Sequence, residues 1–244
     1  MKITNVHGIP LPLVQAMEND PYDDGGSDIS VTRLIDSPRI RVLLKEHDAE
    51  AEVDASERLW ALAGQALHLM LERANKTGVV EERFHAQIRG WDVSGQVDWL
   101  VDGCIQDWKW TSVWAYIWKS QYKKWEEQLN CLAGLARLNG HEVNRLQINP
   151  VFRDFQRNEA KRKADYPPIA AMEISFPVWE QAHVMSYMDE RVCLHQEAEK
   201  ALPLCSDEDR WWNEKYKRYN RCAEFCAVSK FCTQFRGEEP SRDK

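Results

Sequence analysis

The sequence predicts a mixed α/β (α+β) chain: a central mixed sheet flanked by helices. Three observations carry this. Two strand-forming runs, 91–101 and 104–110, are separated only by Asp102-Gly103, a pair that favours a two-residue hairpin turn. Before them, Leu59, Trp60, Leu62, Ala63, Ala66, Leu67, Met70 and Leu71 recur at helical spacing. After them, a second long helical stretch is closed by Gly140.

Taken in order, residues 1–29 read as an irregular lead-in, because Pro10, Pro12, Pro21 and the polar turn Asp23-Asp24-Gly25-Gly26 interrupt any period. Ser30 caps a short helix over 31–36, and Pro38 opens another to Glu46. A long helix covers 56–75. Strands follow at 79–88, 91–101 (with a break at Gly95) and 104–110. Ser112 starts a helix that reaches Asn139, in which Trp114, Trp118, Gln121 and Trp125 form a stripe read as core, with base stacking as the alternative. A strand at 142–152, a basic loop at 153–163 and a strand at 169–176 come next. Helices at 178–202 and 207–219 and a cysteine-rich tail complete the chain. The expected organisation is a lead-in (1–29), a core (30–202) and a helical, cysteine-rich tail packed on it (203–244).

The 244 residues carry 43% hydrophobic residues, enough for a real core, and a net charge of -7. That charge argues against non-specific coating of nucleic acid, which usually needs a basic surface. An acidic nuclease fits, since carboxylates that hold cations are neutralised by them. No stretch approaches the ~18 apolar residues of a membrane span. The first residues lack the apolar run of a signal peptide, so the expected compartment is the cytoplasm. Seven cysteines without an export signal suggest thiols or metal ligands rather than disulfides.

The hairpin carries the chemistry. Counting outward from Asp102-Gly103 pairs Val101 with Cys104, Leu100 with Ile105, Trp99 with Gln106, and Asp98 with Asp107. Side chains alternate along a strand. Gln96, Asp98, Leu100, Ile105, Asp107 and Lys109 then share one face, while Val97, Trp99, Val101, Trp108 and Trp110 form a core surface on the other. Two opposed carboxylates repel, and a divalent cation between them relieves this; oxygen donors suit Mg2+ or Mn2+. Lys109 could then orient or help deprotonate a water while the cation offsets charge on a phosphate. The plainer alternative is a solvated hairpin with an Asp–Lys ion pair.

GQVDWL and QDWKW resemble the motifs of the PD-(D/E)XK nuclease superfamily, in particular its RecB-like exonuclease branch, which includes phage recombination nucleases and CRISPR-associated exonucleases. His68 in GQALHLMLE resembles that branch's histidine motif. Gly95-Gln96-Val97-Asp98 resembles the second motif and Asp107-Trp108-Lys109 the third. Gln128 in WEEQLNCLAGLARLNG resembles the glutamine of the fourth. The resemblance spans about 29–232. It implies a restriction-endonuclease-like core over 30–202, with Asp98, Asp107, the Trp108 carbonyl and His68 as metal ligands. Lys109 would act on the attacking water, and Gln128 would contact DNA or position the lysine. The fourth motif's tyrosine falls at Leu132, so a hydroxyl contact to DNA is absent or supplied elsewhere, with Tyr122 a candidate; Glu82 is either an extra acidic ligand or part of a solvated Glu81-Glu82-Arg83 charge run. The implied function is Mg2+- or Mn2+-dependent cleavage of DNA (double-strand ends or single strands), by an exonuclease more than an endonuclease, in recombination, repair or replication. A recombination partner protein would fit that role. The alternative is a catalytically inactive DNA-binding or recombination-accessory protein on the same fold.

Cys222, Cys226 and Cys232 lie within eleven residues. Soft thiolates at this density suit zinc or an iron–sulfur cluster. Relatives in the RecB-like branch hold a 4Fe-4S cluster with three such cysteines and one near the N-terminus, before a proline. Here that place is Ser37, before Pro38. Three readings are open: a cluster or zinc with a substitute fourth ligand (Cys193, Cys205 or His195), a metal-free tail held by Phe225, Val228 and Phe231, or a redox or disulfide role. Cys104 and Cys131 read as buried thiols. For DNA contact the basic candidates are Arg153, Arg157, Lys161, Arg162 and Lys163; Lys119, Lys123 and Lys124; and Lys215, Lys217, Arg218 and Arg221.

Overall fold

A computed structural model of the chain describes residues 2–19, 25–74 and 77–236. Pro21, Asp23, Asp24 and Asn75, used in the reading above, lie outside the described residues. The elements run β1 (Lys2–Thr4), α1 (Leu11–Glu18), β2 (Ile29–Ser30), α2 (Val31–Leu34), α3 (Pro38–Glu46), β3 (Glu52–Asp54) and α4 (Ala55–Ala74). Next come β4 (Val79–Ile88), β5 (Trp91–Val101), β6 (Cys104–Thr111), α5 (Val113–Ile117), α6 (Tyr122–Leu138) and β7 (Arg145–Phe152). The remainder is α7 (Arg157–Ala160), β8 (Ile174–Phe176), α8 (Gln181–Ala198), α9 (Asp207–Arg210), β9 (Trp212–Asn213), β10 (Arg218–Tyr219), a π-helical turn (Arg221–Phe225), a 3-10 turn (Ser229–Phe231) and α10 (Thr233–Arg236). The fold is mixed α/β, as the sequence predicts. It divides into two compact units, Tyr22–Ile35 with Trp60–Asp189, and Met1–Pro21 with Asp36–Leu59 and Glu190–Lys244.

The first of these units holds the sheet, ordered β2-β5-β6-β7-β8 with β4 also on β5. β4 runs antiparallel along one edge of β5, from Val79 opposite Leu100 to Ile88 opposite Trp91. On β5's other edge, β2 pairs in parallel at Val93 and Ser94, and β6 pairs antiparallel at Trp99–Val101. β6 and β7 are parallel over their length, and β8 is antiparallel to β7. Asp102 and Gly103 have φ of +48° and +70°, the left-handed pair that a tight hairpin needs. Behind the sheet, Leu129, Cys131, Leu132, Ala133, Leu135 and Ala136 of α6 are buried. The helix lies so close that a Cβ on Gly95 would stand 2.5 Å from Leu132 Cδ2 and 2.9 Å from Val31 Cγ2. Gly95 is therefore a packing glycine inside an unbroken strand, not the break its flexibility suggested.

The apolar alternation of β5 differs from the sequence count. Besides Ser94, its buried positions are Val93, Gly95, Val97 and then Leu100, so the phase slips by one residue at Asp98–Trp99. Ile105 and Leu146 are buried as well, at 0% and 2% exposure, whereas Trp99, Val101, Trp108 and Trp110 are only half-buried. The core face is thus the one that carries Leu100, Ile105 and Asp107, and the tryptophan face is the shallower one.

Other expectations are corrected. Pro10 and Pro12 sit at the start of α1, where the first turn has no use for their missing N–H groups, so the lead-in is not irregular throughout. The helix expected from Ser112 to Asn139 is two, broken where Lys119 takes φ +52°. Trp125 is buried, but Trp114 and Trp118 are 45% and 68% exposed, so the stripe is core at one end only. The strand at 169–176 shortens to β8, preceded by a single bridge between Val151 and Ala171. The helix at 207–219 stops at Arg210, because Trp211 turns left-handed (φ +59°) and β9 and β10 form a hairpin. In α4 only Ala55 is buried, and Trp60 and Met70 face solvent. No helix among the described residues is long and apolar enough to cross a membrane.

In the second unit β1 and β3 pair in parallel, and Ile40, Leu43, Val228 and Cys232 form a small core with Cys205, Cys226 and Phe231 against it.

Candidate metal centre

The pairing between β5 and β6 ends at Trp99–Gln106, one step short of the two acids. In place of a backbone rung, Asp98 Oδ2 accepts the Trp108 N–H at 2.7 Å. This draws Asp98 towards β6 and holds its carboxylate beside that of Asp107, which is 2% exposed.

α4 supplies His68. Its Nε2 lies 3.1 Å from the Trp108 carbonyl oxygen, and its Nδ1 is 3.5 Å from both Asp98 Oδ2 and Glu81 Oε1. Glu81 was not among the expected residues; Glu82 was, and it is exposed and opposite Val97. The signal for Glu81 was present. Arg89 and Gly90, at φ +50° and +80°, form a second two-residue turn, and counting back from it sets position 81 opposite 98. Gln96 donates from Nε2 to Glu81 Oε2 at 2.7 Å, and Arg83 donates to Gln96 Oε1 at 3.1 Å. These bonds fix the Glu81 carboxylate. One ligand atom each from His68, Glu81 and Asp98 lies within 4.8 Å of the others. A nitrogen and carboxylate oxygens at that spacing suit a divalent cation such as Mg2+ or Mn2+.

Asp107 faces the other way along the site. Its Oδ2 lies 2.6 Å from Lys109 Nζ, and its Oδ1 accepts from Gln128 Nε2 at 3.2 Å. Lys109 also donates to Gln128 Oε1 at 3.3 Å, so α6 closes a triangle of Asp107, Lys109 and Gln128. Five side chains named from the sequence are brought together, along with the Trp108 carbonyl. Leu132, at the expected tyrosine position, is buried, and Tyr122 stacks with Trp125 at 5.5 Å.

The charges respond to each other. Burial and then the Asp107 carboxylate push Asp98 up to about 7, which disfavours its charged form. The hydrogen bond with Glu81, and then the charges of Asp98 and Asp107, raise His68 to about 9 against the opposing effect of burial. Burial also works against the Lys109 ammonium, but Asp107 and Asp98 outweigh it and hold its pKa above the usual value. A site that pushes one acid towards protonation and keeps a histidine cationic is short of positive charge, which a bound cation supplies.

The second unit holds the thiol group. Cys222, Cys226 and Cys232 line one cavity together with Cys205, Arg39 and Arg221. Ser37 Oγ is 3.2 Å from Cys205 Sγ, so Cys205 stands beside the position where the resemblance implies a cysteine. Cys193 instead lies by Glu197, and His195 is bound by Arg41. None of the seven cysteines is in a disulfide. Arg39 is 3% exposed and donates to Cys232 Sγ (3.2 Å), the Pro203 carbonyl and the Thr233 hydroxyl. Val228 is buried and Phe231 stacks on His47, while Phe225 is 66% exposed. Of the basic candidates, Lys217 pairs with Glu214, Arg218 with Glu224, Arg221 with Asp36 and Lys163 with Glu159, whereas Arg153 lies 4.8 Å from the Trp60 ring.

No family model matches the chain, and no curated protein sequence does. Among solved structures, the crystal structure of SSO0001 is similar with a TM-score of 0.56 and 18% identity, over 92% of this chain and 95% of that one. A chain named "Putative exonuclease", from Eubacterium rectale, has a TM-score of 0.40 and 10% identity, over 82% of this chain and 69% of that one. The likeness to SSO0001 is one of fold.

Proposed function

We propose that this chain is a divalent-cation-dependent deoxyribonuclease of the PD-(D/E)XK superfamily, in its RecB-like branch, and that it acts as an exonuclease in DNA recombination, repair or replication in the cytoplasm. One observation carries the reading: three potential ligands, His68, Glu81 and Asp98, meet beside the Asp107–Lys109–Gln128 triangle. Exposed acids often cluster by chance, but these are partly buried and held by a relay from Arg83 and Gln96.

His68, Glu81 and Asp98 would hold Mg2+ or Mn2+, with the Trp108 carbonyl and Asp107 adjoining. A cation there supplies charge to offset a scissile phosphate and to acidify a water. The Asp107 and Asp98 carboxylates favour the Lys109 ammonium, which would donate to the attacking water or to a phosphate oxygen. Gln128 keeps Lys109 and Asp107 in register. The test is digestion of end-labelled DNA with Mg2+, Mn2+ or EDTA. Shortening from an end that requires the ion supports the reading, and no cleavage with any ion overturns it.

We also infer that the thiol cavity holds an iron–sulfur cluster, with Cys205 joining Cys222, Cys226 and Cys232. Four thiols face one cavity, and a buried guanidinium beside them has no carboxylate partner among the described residues. A thiolate set would neutralise it. Tetrahedral zinc, with Zn–S bonds of about 2.3 Å, needs sulfurs about 3.8 Å apart. Among the described residues the sulfurs form no group of three within 4.8 Å, which favours the larger cluster.

A further inference from the structure

The break at Lys119 turns two indoles out of the core. Trp114 and Trp118 stack on one another, with centroids 4.8 Å apart and planes at 27°, and both reach solvent, Trp118 more than Trp114. They wall a slot of about 340 Å³ that also includes Lys109, Trp110, Thr111 and Trp125, a volume typical of small-ligand pockets. The slot therefore begins at the lysine that touches Asp107. Trp110 Nε1 is buried and has no hydrogen-bond partner among the described residues. At the neighbouring strand end, the Thr111 carbonyl accepts the Arg153 N–H at 2.9 Å, and the Arg153 guanidinium lies over Trp60.

We propose that this slot binds an unpaired base of single-stranded nucleic acid, stacked on Trp118 and Trp114, with its backbone led towards Lys109. Flat aromatic walls suit a base, whose π-face is available only when it is unpaired and unstacked. Lys109, which lines the slot, suits a phosphate that flanks a base. A duplex keeps its bases stacked and has nothing to place there. The proposal deepens the nuclease reading by naming its substrate, but binding itself needs no cleavage.

The test is binding by the full chain in EDTA. Fluorescence-labelled oligothymidylate and a matched duplex are titrated with the wild type, Trp118→Ala, Trp118→Phe and, as a remote control, Trp212→Ala. The expected result is quenching of tryptophan emission by the single strand, with a loss of about tenfold in affinity for Trp118→Ala, the size of one lost base–indole stack. Trp118→Phe restores most of the binding, and Trp212→Ala and the duplex show no such change. Equal affinity for wild type and Trp118→Ala, failure of phenylalanine to rescue, or no single-strand binding at all overturns the proposal. A chain that binds through Trp118 yet cuts nothing keeps the slot and loses the nuclease. Cleavage that ignores Trp118→Ala does the reverse.

Discussion

Replacing Gly95 by alanine tests how the core positions the site. The added methyl would stand 2.5 Å from Leu132 Cδ2, 2.9 Å from Val31 Cγ2 and 3.1 Å from Leu135 Cδ1. All three partners are buried, at 2%, 2% and 0% exposure, so none can swing away into solvent. Overpacking of this kind costs about 1–3 kcal/mol, which the small gain from restricting a glycine, about 0.4–1 kcal/mol, does not offset. At roughly 2–4 °C per kcal/mol for a chain of this size, Tm should fall by roughly 5 °C. Trimming the partner should relieve the strain: Leu132→Val on the Gly95→Ala background costs less than the two changes summed, by about 1 kcal/mol. The assay is urea denaturation followed by circular dichroism, run as a double-mutant cycle. Gly95→Ala at wild-type stability, or a strictly additive cycle, would refute the close approach of α6 to β5 on which the Gln128–Asp107 contact depends.

Three further outcomes follow from particular groups. Hydrogen bonds from the Ser56 hydroxyl and N–H and from the Val6 N–H hold Asp54 at about 2, below its ordinary 3.8. Its stabilisation is complete above about pH 4 and is lost as the pH falls through 2. The stability gap between wild type and Asp54→Asn should therefore shrink from pH 5 to pH 2 in acid denaturation, and a gap independent of pH contradicts this. Glu81→Gln should weaken Mn2+ binding by about 10–100-fold in calorimetric titration, while Glu82→Gln leaves it unchanged; the opposite ranking would return the ligand to position 82. Protein purified without oxygen should contain iron and sulfide and absorb near ~400 nm, with Cys205→Ser losing both. Equal metal content in wild type and Cys205→Ser would remove Cys205 from the ligand set.

The parts of the fold set by local rules were legible. Asp102-Gly103 fixed a turn, and the register counted from it holds for the three pairs nearest to it. What failed needed tertiary information. Nothing at Trp118-Lys119-Ser120-Gln121 announces a helix break, since it contains neither glycine nor proline. The run 207–219 is rich in helix formers, but Asn213 Oδ1 accepts the Tyr216 N–H and favours the hairpin turn. The alternation slip at Asp98 arises because its carboxylate, not its backbone, meets Trp108, and a strict period of two cannot express that. Glu81 was readable from the Arg89-Gly90 turn had that hairpin been counted too. Cys205 was not, because its closeness to Ser37 joins residues 168 positions apart.

The central claim is that a cation held beside Asp107 and Lys109 cleaves DNA. Its most direct measure is the cleavage rate of labelled DNA in Mg2+ by Asp107→Ala and Lys109→Ala, alongside their DNA affinity. The account predicts a drop of roughly 100-fold or more in rate, with binding preserved in both variants. Undiminished ion-dependent digestion by either one would contradict it.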